Sequence, residues 1–176
     1  MSRQPSDETL AAKLQQGDLH SLKILIARYQ APLIRYAGYL GVGEESDDVI
    51  QETFIRAYRN IRSYNPKLKW SSWLYRIAHN QAISYLRAKR YVLPLNEYFG
   101  NARVEQESIV EQAETKRQVK RCLGALPMYY REVLTLYYLE EKTYKELSDI
   151  FRLPIGTISA RLHRAKKEMR KICQNN

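Results

Sequence analysis

Residues 143–165 have the sequence TYKELSDIFRLPIGTISARLHRA, in which two helical patterns are separated by a short turn. Thr143 precedes Glu146 by three positions, which is the spacing of a capping box at the start of a helix. Leu-Pro-Ile-Gly at 153–156 breaks the helical period, and a second helical pattern with basic residues follows. A short helix, a tight turn and a basic helix are typical of a helix-turn-helix.

The second helix of this motif is predicted to begin around Gly156-Thr157 and to bury one apolar stripe. Its members recur at spacings of three and four: Ile158, Leu162, Ala165 and Met169. The remaining faces suit contact with base edges and phosphates, and they carry Thr157, Ser159, Ala160, Arg161, Arg164 and Lys167. Arg161 and Arg164 lie one turn apart and suit paired hydrogen bonds to guanine. The alternative is a solvated basic helix in a small bundle.

Charge is distributed in three blocks along the 176 residues, which carry a net charge of +10. Residues 1–90 have a net charge of +6, residues 91–114 have −4, and residues 115–176 have +8. Two basic blocks around an acidic tether indicate two modules that bind a polyanion. We therefore predict a first domain over 1–90, an acidic linker over 91–114 and a helix-turn-helix domain over 115–176.

Apolar residues recur mostly at helical spacing, and only 7 Gly and 6 Pro interrupt the chain. This pattern predicts an all-α fold of two small helical domains joined by a linker. Ser6 and Asp18 are expected to cap the first two helices, and Ser71 or Ser72 the fourth. The third helix should start near Ser46 and bury Ile50, Phe54, Ala57, Tyr58 and Ile61.

Several classes of protein are disfavoured by what the sequence contains. No apolar run approaches the roughly 20 residues of a membrane span, and the N-terminus lacks the apolar core of a signal peptide, so a cytoplasmic protein is expected. Cys122 and Cys173 are the only two cysteines and lie 51 positions apart. We predict that they are reduced and form neither a zinc site nor a disulfide framework; a redox switch is the alternative.

Carboxylates near Asp47, Asp48 and Glu52 suggest a divalent-metal site at first sight. They fall at a predicted helix start, however, where the helix dipole favours acidic residues for structural reasons alone. No histidine is close in sequence to act with them. We therefore expect no enzyme activity, no metal and no cofactor.

Three stretches of sequence carry a resemblance to one family. The stretch 144–165, with Leu126-Pro127 and Tyr130-Arg131 before it, resembles the domain of bacterial sigma factors that recognises the promoter's minus 35 element. DDVIQETFIRAY at 47–58 resembles their polymerase-binding helix, and WLYRIA at 73–78 with Asn80 resembles their minus 10 helix. The chain thus resembles the sigma-70 family, and its short length resembles the two-domain extracytoplasmic-function type.

This resemblance implies a subunit that directs core RNA polymerase to promoters and helps to melt the DNA. It implies polymerase contacts at Asp47, Asp48, Gln51, Glu52 and Phe54. It implies minus 10 contacts at Tyr64, Lys67, Lys69, Trp70, Trp73, Arg76, Asn80 and Arg87. The expected partners are core RNA polymerase and promoter DNA, as duplex and as melted strand, and an anti-sigma factor is a further candidate.

Alternatives remain open for some of these residues and for the function. Phe54, Trp70 and Trp73 are equally well explained as core residues of a helical bundle. A stand-alone helix-turn-helix regulator that binds duplex DNA without polymerase is the rival function. The chain also departs from the family pattern at three positions: Arg152 replaces a turn Gly, Ser84 replaces Asp, and Ala160 replaces Ser.

Overall fold

The structure is a computed structural model that describes residues 5–92 and 110–174. These residues form eight α-helices and contain no strand. The first half of the chain has α1 (Asp7–Gln15), α2 (Leu19–Leu40), α3 (Ser46–Arg59) and α4 (Trp70–Val92). The second half has α5 (Val110–Ala125), α6 (Met128–Leu134), α7 (Tyr144–Phe151) and α8 (Ile155–Gln174). The predicted all-α fold with a helix-turn-helix in its second half is confirmed. Most of the predicted acidic linker, 93–109, lies outside the described residues.

Three helices begin at the caps that the sequence predicts. Ser6 and Asp18 each accept a hydrogen bond from a backbone N–H in the first turn of α1 and α2. At α7, Thr143 Oγ1 accepts from the Glu146 amide, while Glu146 Oε2 accepts from the Thr143 amide at 2.9 Å. These bonds satisfy backbone donors that have no partner inside the helix.

The start of α4 and one residue of α3 differ from the prediction. α4 begins at Trp70, ahead of the two predicted serine caps, because Glu8 Oε1 accepts its backbone N–H at 3.2 Å. This cap comes from α1, 62 residues away, so it cannot be predicted from the sequence around Trp70. Tyr58, predicted to be buried, is 45% exposed at the edge of the apolar stripe of α3.

The prediction that the two cysteines stay reduced and unpaired is wrong for this structure. Cys122 in α5 and Cys173 in α8 form a disulfide with a Cα–Cα distance of 5.6 Å. The sequence alone did not predict the pairing, because the two residues meet only when α8 packs along α5.

The helix-turn-helix turns at a residue in the left-handed conformation. Arg152 has φ 54° and ψ 45° and ends α7. A side chain is strained there because its Cβ lies close to the neighbouring carbonyl. The sequence had marked this position, since Arg152 stands where the family pattern has glycine. The turn is also held by Ser148 Oγ, which donates to the Leu153 carbonyl at 2.6 Å.

The two halves of the chain pack against each other, chiefly through α4 and α7. The Glu140 carboxylate accepts a hydrogen bond from the Tyr75 hydroxyl at 2.6 Å and lies 3.5 Å from the Arg35 guanidinium. Its side chain is only 5% exposed. A buried carboxylate of this kind is stabilised only while both partners from the first half stay in place.

A second buried carboxylate, Glu132 of α6, lies between the halves. Its oxygens lie 2.9 Å from Arg161 Nη1 and 3.8 Å from His79 Nε2. His79 Nδ1 is 3.1 Å from the Tyr36 hydroxyl. Burial raises the pKa of Glu132 to about 7, and Arg161 opposes that rise. Burial, together with the charges of Arg161 and Arg87, lowers the pKa of His79 to about 4.

Glu132→Gln and His79→Asn should change the pH dependence of stability in opposite directions. Folding raises the pKa of Glu132 from 4.5, so its contribution to the free energy of unfolding is present below 4.5 and lost as the pH rises towards 7. Folding lowers the pKa of His79 from 6.5, so its contribution is present above 6.5 and lost as the pH falls towards 4. Urea unfolding between these limits should therefore show stability rising with pH more steeply than wild type in Glu132→Gln and less steeply in His79→Asn. Parallel curves for all three proteins would contradict this assignment.

Arg152→Gly should stabilise the chain by about 0.5–1 kcal/mol, because glycine adopts the left-handed conformation without the Cβ clash. Arg152→Ala is the matched control, since it removes the same charge and keeps the clash. Urea unfolding of both variants measures the difference. Equal stability of the two variants would show that Arg152 is not strained.

Candidate nucleic-acid and polymerase interfaces

The predicted recognition face of α8 is largely exposed. The side chains on this face that reach solvent are Thr157, Ser159, Ala160, Arg164 and Lys167. Ile158, Leu162 and Ala165 are buried and hold the helix against the rest of its domain. The stripe predicted from helical spacing therefore orients the basic side of α8 outward.

Arg161 differs from Arg164 although the two lie one turn apart. Its side chain is only 23% exposed, and its Nη1 donates to Glu132 Oε1 at 2.9 Å. Its guanidinium also lies 6.0 Å from the centre of the Phe151 ring. Arg161 is thus engaged inside the protein, whereas Arg164 is exposed to solvent.

The aromatic residues of the predicted minus 10 region lie in the core. Tyr64, Trp70 and Trp73 are 2%, 1% and 7% exposed. Their ring centres lie 5.0–5.4 Å from one another, and the Tyr64 hydroxyl donates to the Leu68 carbonyl at 2.6 Å. Rings buried in this way offer no open face to a base. Trp70 and Trp73 therefore have the core position that was their alternative, and Tyr64, for which no core position was predicted, is buried with them.

The polar residues of the same region lie at the surface or against the second half. Lys67, Lys69, Asn80 and Arg87 are exposed. Lys69 Nζ lies 3.0 Å from Glu146 Oε1 on α7. Arg76 is half-buried, and its Nη1 lies 3.5 Å from the Asp149 carbonyl oxygen.

The electrostatics of these two contacts are distinct. Burial lowers the pKa of Arg76, and the charge of Arg152 lowers it further. Burial acts to raise the pKa of Glu146, but hydrogen bonds from Thr143 and Lys69 outweigh it and leave this pKa below its usual value. α7 therefore presents to Lys69 a carboxylate that stays ionised near neutral pH.

The predicted polymerase-binding residues of α3 divide into exposed and buried members. Asp47, Asp48 and Gln51 are exposed. Glu52 Oε1 forms an ion pair with Arg56 Nε at 2.8 Å, one helical turn away. Phe54 is 7% exposed and packs in the core. An acidic, solvent-facing strip is therefore held in place by an apolar strip on the same helix.

Within residues 5–92 and 110–174, no group of three or more His, Cys, Asp or Glu side chains is placed to hold a metal ion. In the same ranges, no helix has the length and apolar character needed to cross a membrane.

Sequence reasoning missed the residues that join the two halves. Tyr75, His79, Glu132 and Glu140 each form an interdomain hydrogen bond or ion pair. Each interdomain partner lies at least 50 positions away, so even the WLYRIA stretch that contains Tyr75 does not reveal the contact. Glu146 also joins the two halves. The sequence identified it as part of a capping box but not as the partner of Lys69.

Two family models match this chain, one in each half. The model described as sigma-70 region 2 matches residues 25–91, and the model described as sigma-70, region 4 matches residues 116–169. ECF RNA polymerase sigma-E factors from Escherichia coli (strain K12) and Salmonella typhi are each 31% identical, over 95% of this chain and 94% of the relative. The sigma-E factor of Haemophilus influenzae is 32% identical over 95% of both chains.

Three solved structures are also similar. CnrH in complex with the cytosolic domain of CnrY has a TM-score of 0.77 at 24% identity, covering 98% of this chain and 99% of its own. The sigma factor RpoE in complex with the anti-sigma factor NepR from Bartonella quintana has a TM-score of 0.73 at 20% identity. The match covers 86% of this chain and 96% of that chain. An engineered region 2 of sigmaE in complex with GTAAAA has a TM-score of 0.50 at 39% identity. The match covers 54% of this chain and 100% of that chain. This chain belongs to the sigma-70 family of RNA polymerase sigma factors, as a member of the ECF type.

Proposed function

We propose that this chain is a promoter-specificity subunit that binds core RNA polymerase, recognises two promoter elements and helps to open the DNA between them. The observation that carries the proposal is the outward-facing basic side of α8, in a chain whose halves match region 2 and region 4 of one family. The subunit supplies no catalytic group of its own and works in the cytoplasm, where core polymerase and DNA are found. The proposed division remains 1–90, an acidic linker over 91–114, and 115–176.

The rival function, a stand-alone helix-turn-helix regulator, needs only the second half of the chain. Co-purification separates the two functions, because only the specificity subunit requires core polymerase. The tagged full-length chain is mixed with purified core enzyme, and a stable complex that starts transcription at a defined promoter is the expected result. Promoter-specific binding with no complex would favour the regulator.

The proposed polymerase surface is the exposed acidic strip of α3. Asp48→Lys combined with Glu52→Lys should abolish association with core polymerase, because two negative charges facing a partner become positive. The helix itself should persist, since both side chains reach solvent. Pull-down with core enzyme measures the loss, and circular dichroism checks the fold. A folded double variant that still binds would remove α3 from the interface.

The proposed minus 35 contacts lie on α8, where the two arginines should behave differently. Arg164→Ala should weaken binding to promoter DNA by about 1–3 kcal/mol and leave binding to random DNA nearly unchanged, as loss of a base contact does. Arg161→Ala should also lower the free energy of unfolding, because it leaves buried Glu132 without its ion pair. Fluorescence anisotropy on both DNAs is the measurement, and Arg170→Ala serves as a control expected to weaken both equally. Equal losses for Arg164→Ala on the two DNAs would show a phosphate contact instead.

The proposed minus 10 contacts are Lys67, Lys69, Arg76, Asn80 and Arg87 on the surface of the first half. The engineered region 2 in complex with GTAAAA, at 39% identity, supports a nucleic-acid contact in this half. Tyr64, Trp70 and Trp73 complete the proposed set, and their contact with bases requires that the core around them opens.

The packing of the two halves supports a further part of the proposal: the chain alone binds its promoter poorly. Lys69 and Arg76 contact α7, so these two proposed DNA contacts are occupied by the second half. Core polymerase would separate the halves and set their spacing along the DNA. An anti-sigma factor is proposed as a second partner, because the RpoE structure contains the anti-sigma factor NepR. The CnrH structure likewise contains a second protein, the cytosolic domain of CnrY.

Glu146→Gln should raise the affinity of the chain alone for a pre-melted promoter about threefold. The amide oxygen of glutamine still completes the capping box at α7, but the charge that holds Lys69 is removed. The expected gain is small because Lys69 is 64% exposed and such pairs are weak. Anisotropy at constant salt measures the change, with Glu168→Gln as the matched control on α8. A loss of affinity in Glu146→Gln would indicate that α7 does not restrain Lys69.

A further inference from the structure

The Cys122–Cys173 disulfide connects the first helix of the second half to its last. Cys122 is fully buried in α5, and Cys173 is half-buried in the final turn of α8. Their Cα atoms are 5.6 Å apart, within the usual range for a disulfide. The bond spans 51 residues, so it closes α6, α7 and nearly all of α8 into one covalent loop.

The bond lies beside an apolar groove formed by α5, α6, residues 138–139 and α8, because the lining residue Leu123 directly follows Cys122. Val119 and Leu123 line the groove from α5, and Met169 and Arg170 line it from α8. Each cysteine lies within about one helical turn of a lining residue on its own helix. The last carbonyls of α8 have no partner inside the helix. Without a covalent link, the contact between the end of α8 and α5 therefore depends on side-chain packing.

We propose that Cys122 and Cys173 are a reversible thiol–disulfide pair that braces the end of α8 against α5 when it is oxidised. Disulfides inside cells are usually transient or redox-sensing, because the thiol pool keeps most cysteines reduced. A protein that works on DNA in the cell interior meets that pool. The brace does not depend on which promoter the chain recognises, and its test does not involve DNA or polymerase.

The exchange proceeds through Cys173, because Cys122 is inaccessible to solvent. The Cys173 thiolate attacks one sulfur of a low-molecular-weight disulfide such as oxidised glutathione, which forms a mixed disulfide and releases one thiol. The Cys122 thiolate then attacks the Cys173 sulfur and releases the second thiol. The two protein thiols lose two electrons and two protons in total, and both released thiols carry them. Excess thiol reverses both steps.

The test equilibrates the full-length chain at a series of ratios of reduced to oxidised glutathione, followed by acid quenching and peptide mass spectrometry. We expect a linked Cys122–Cys173 peptide that appears as the ratio falls and disappears on return to excess thiol. The midpoint of thermal unfolding should be higher in the oxidised chain by at least about 5 °C, as closure of a long loop implies. Hydrogen exchange at the last turn of α8 should slow in parallel.

Cys173→Ser is the control variant, because Cys173 is half-buried at a helix end and serine is tolerated there. It should behave like the reduced wild type at every glutathione ratio. Absence of the linked peptide at all ratios, or only intermolecular dimers on a non-reducing gel, would overturn the pairing. A linked peptide with unchanged unfolding midpoint and unchanged hydrogen exchange would overturn the brace.

Discussion

One guanidinium group, that of Arg131 in α6, ties the start of the second half to the end of α2 in the first half. Its Nε donates to the Leu123 carbonyl at 2.8 Å, and its Nη2 donates to the Leu126 carbonyl at 3.0 Å. Its Nη1 donates to the Leu40 carbonyl at 3.0 Å. Leu123 and Leu126 lie at and just after the end of α5, and Leu40 is the last residue of α2, where carbonyls commonly lack a partner inside the helix. Only a planar group with several fixed donors satisfies both ends at once, so Arg131 sets where the second half begins against the first.

The next residue in the chain is placed by that contact. Glu132 lies beside His79 of α4 and Arg161 of α8, in a site where burial opposes the charge of both Glu132 and His79. The halves therefore meet through polar groups that are satisfied only together. Buried groups of this kind add little net stability but penalise any other arrangement, because separation would leave them unpaired unless water reaches them. The interface is thus suited to a docking that a stronger partner can replace.

This polar interface bears directly on the proposed function. α7 contacts Lys69, which directly precedes α4, and Arg76 of α4, and both are among the proposed DNA contacts. The predicted recognition face of α8, apart from Arg161, and the acidic strip of α3 are exposed. Under the proposed function, the chain therefore exposes the proposed minus 35 surface and the proposed polymerase surface, while it covers part of the proposed minus 10 surface. Release of that third surface exchanges the ion pair at Lys69 and the hydrogen bond at Arg76 for contacts with phosphates.

The sequence by itself determined the all-α fold, the caps at Ser6, Asp18 and Thr143, the helix-turn-helix and the family, because these rest on residues a few positions apart and on short contiguous motifs. Thr143 with Glu146 and the α8 stripe are such local signals, and so was the anomaly at Arg152. Only the tertiary structure decided that Trp70 and Trp73 lie in the core, that Arg161 is held by Glu132, and that Cys122 meets Cys173. A period along a helix shows which face is apolar, but both a core and a stacking site for bases need apolar rings. Which one forms, and which charges become partners, depends on how separate helices pack, and that information lies in contacts between residues far apart in the chain.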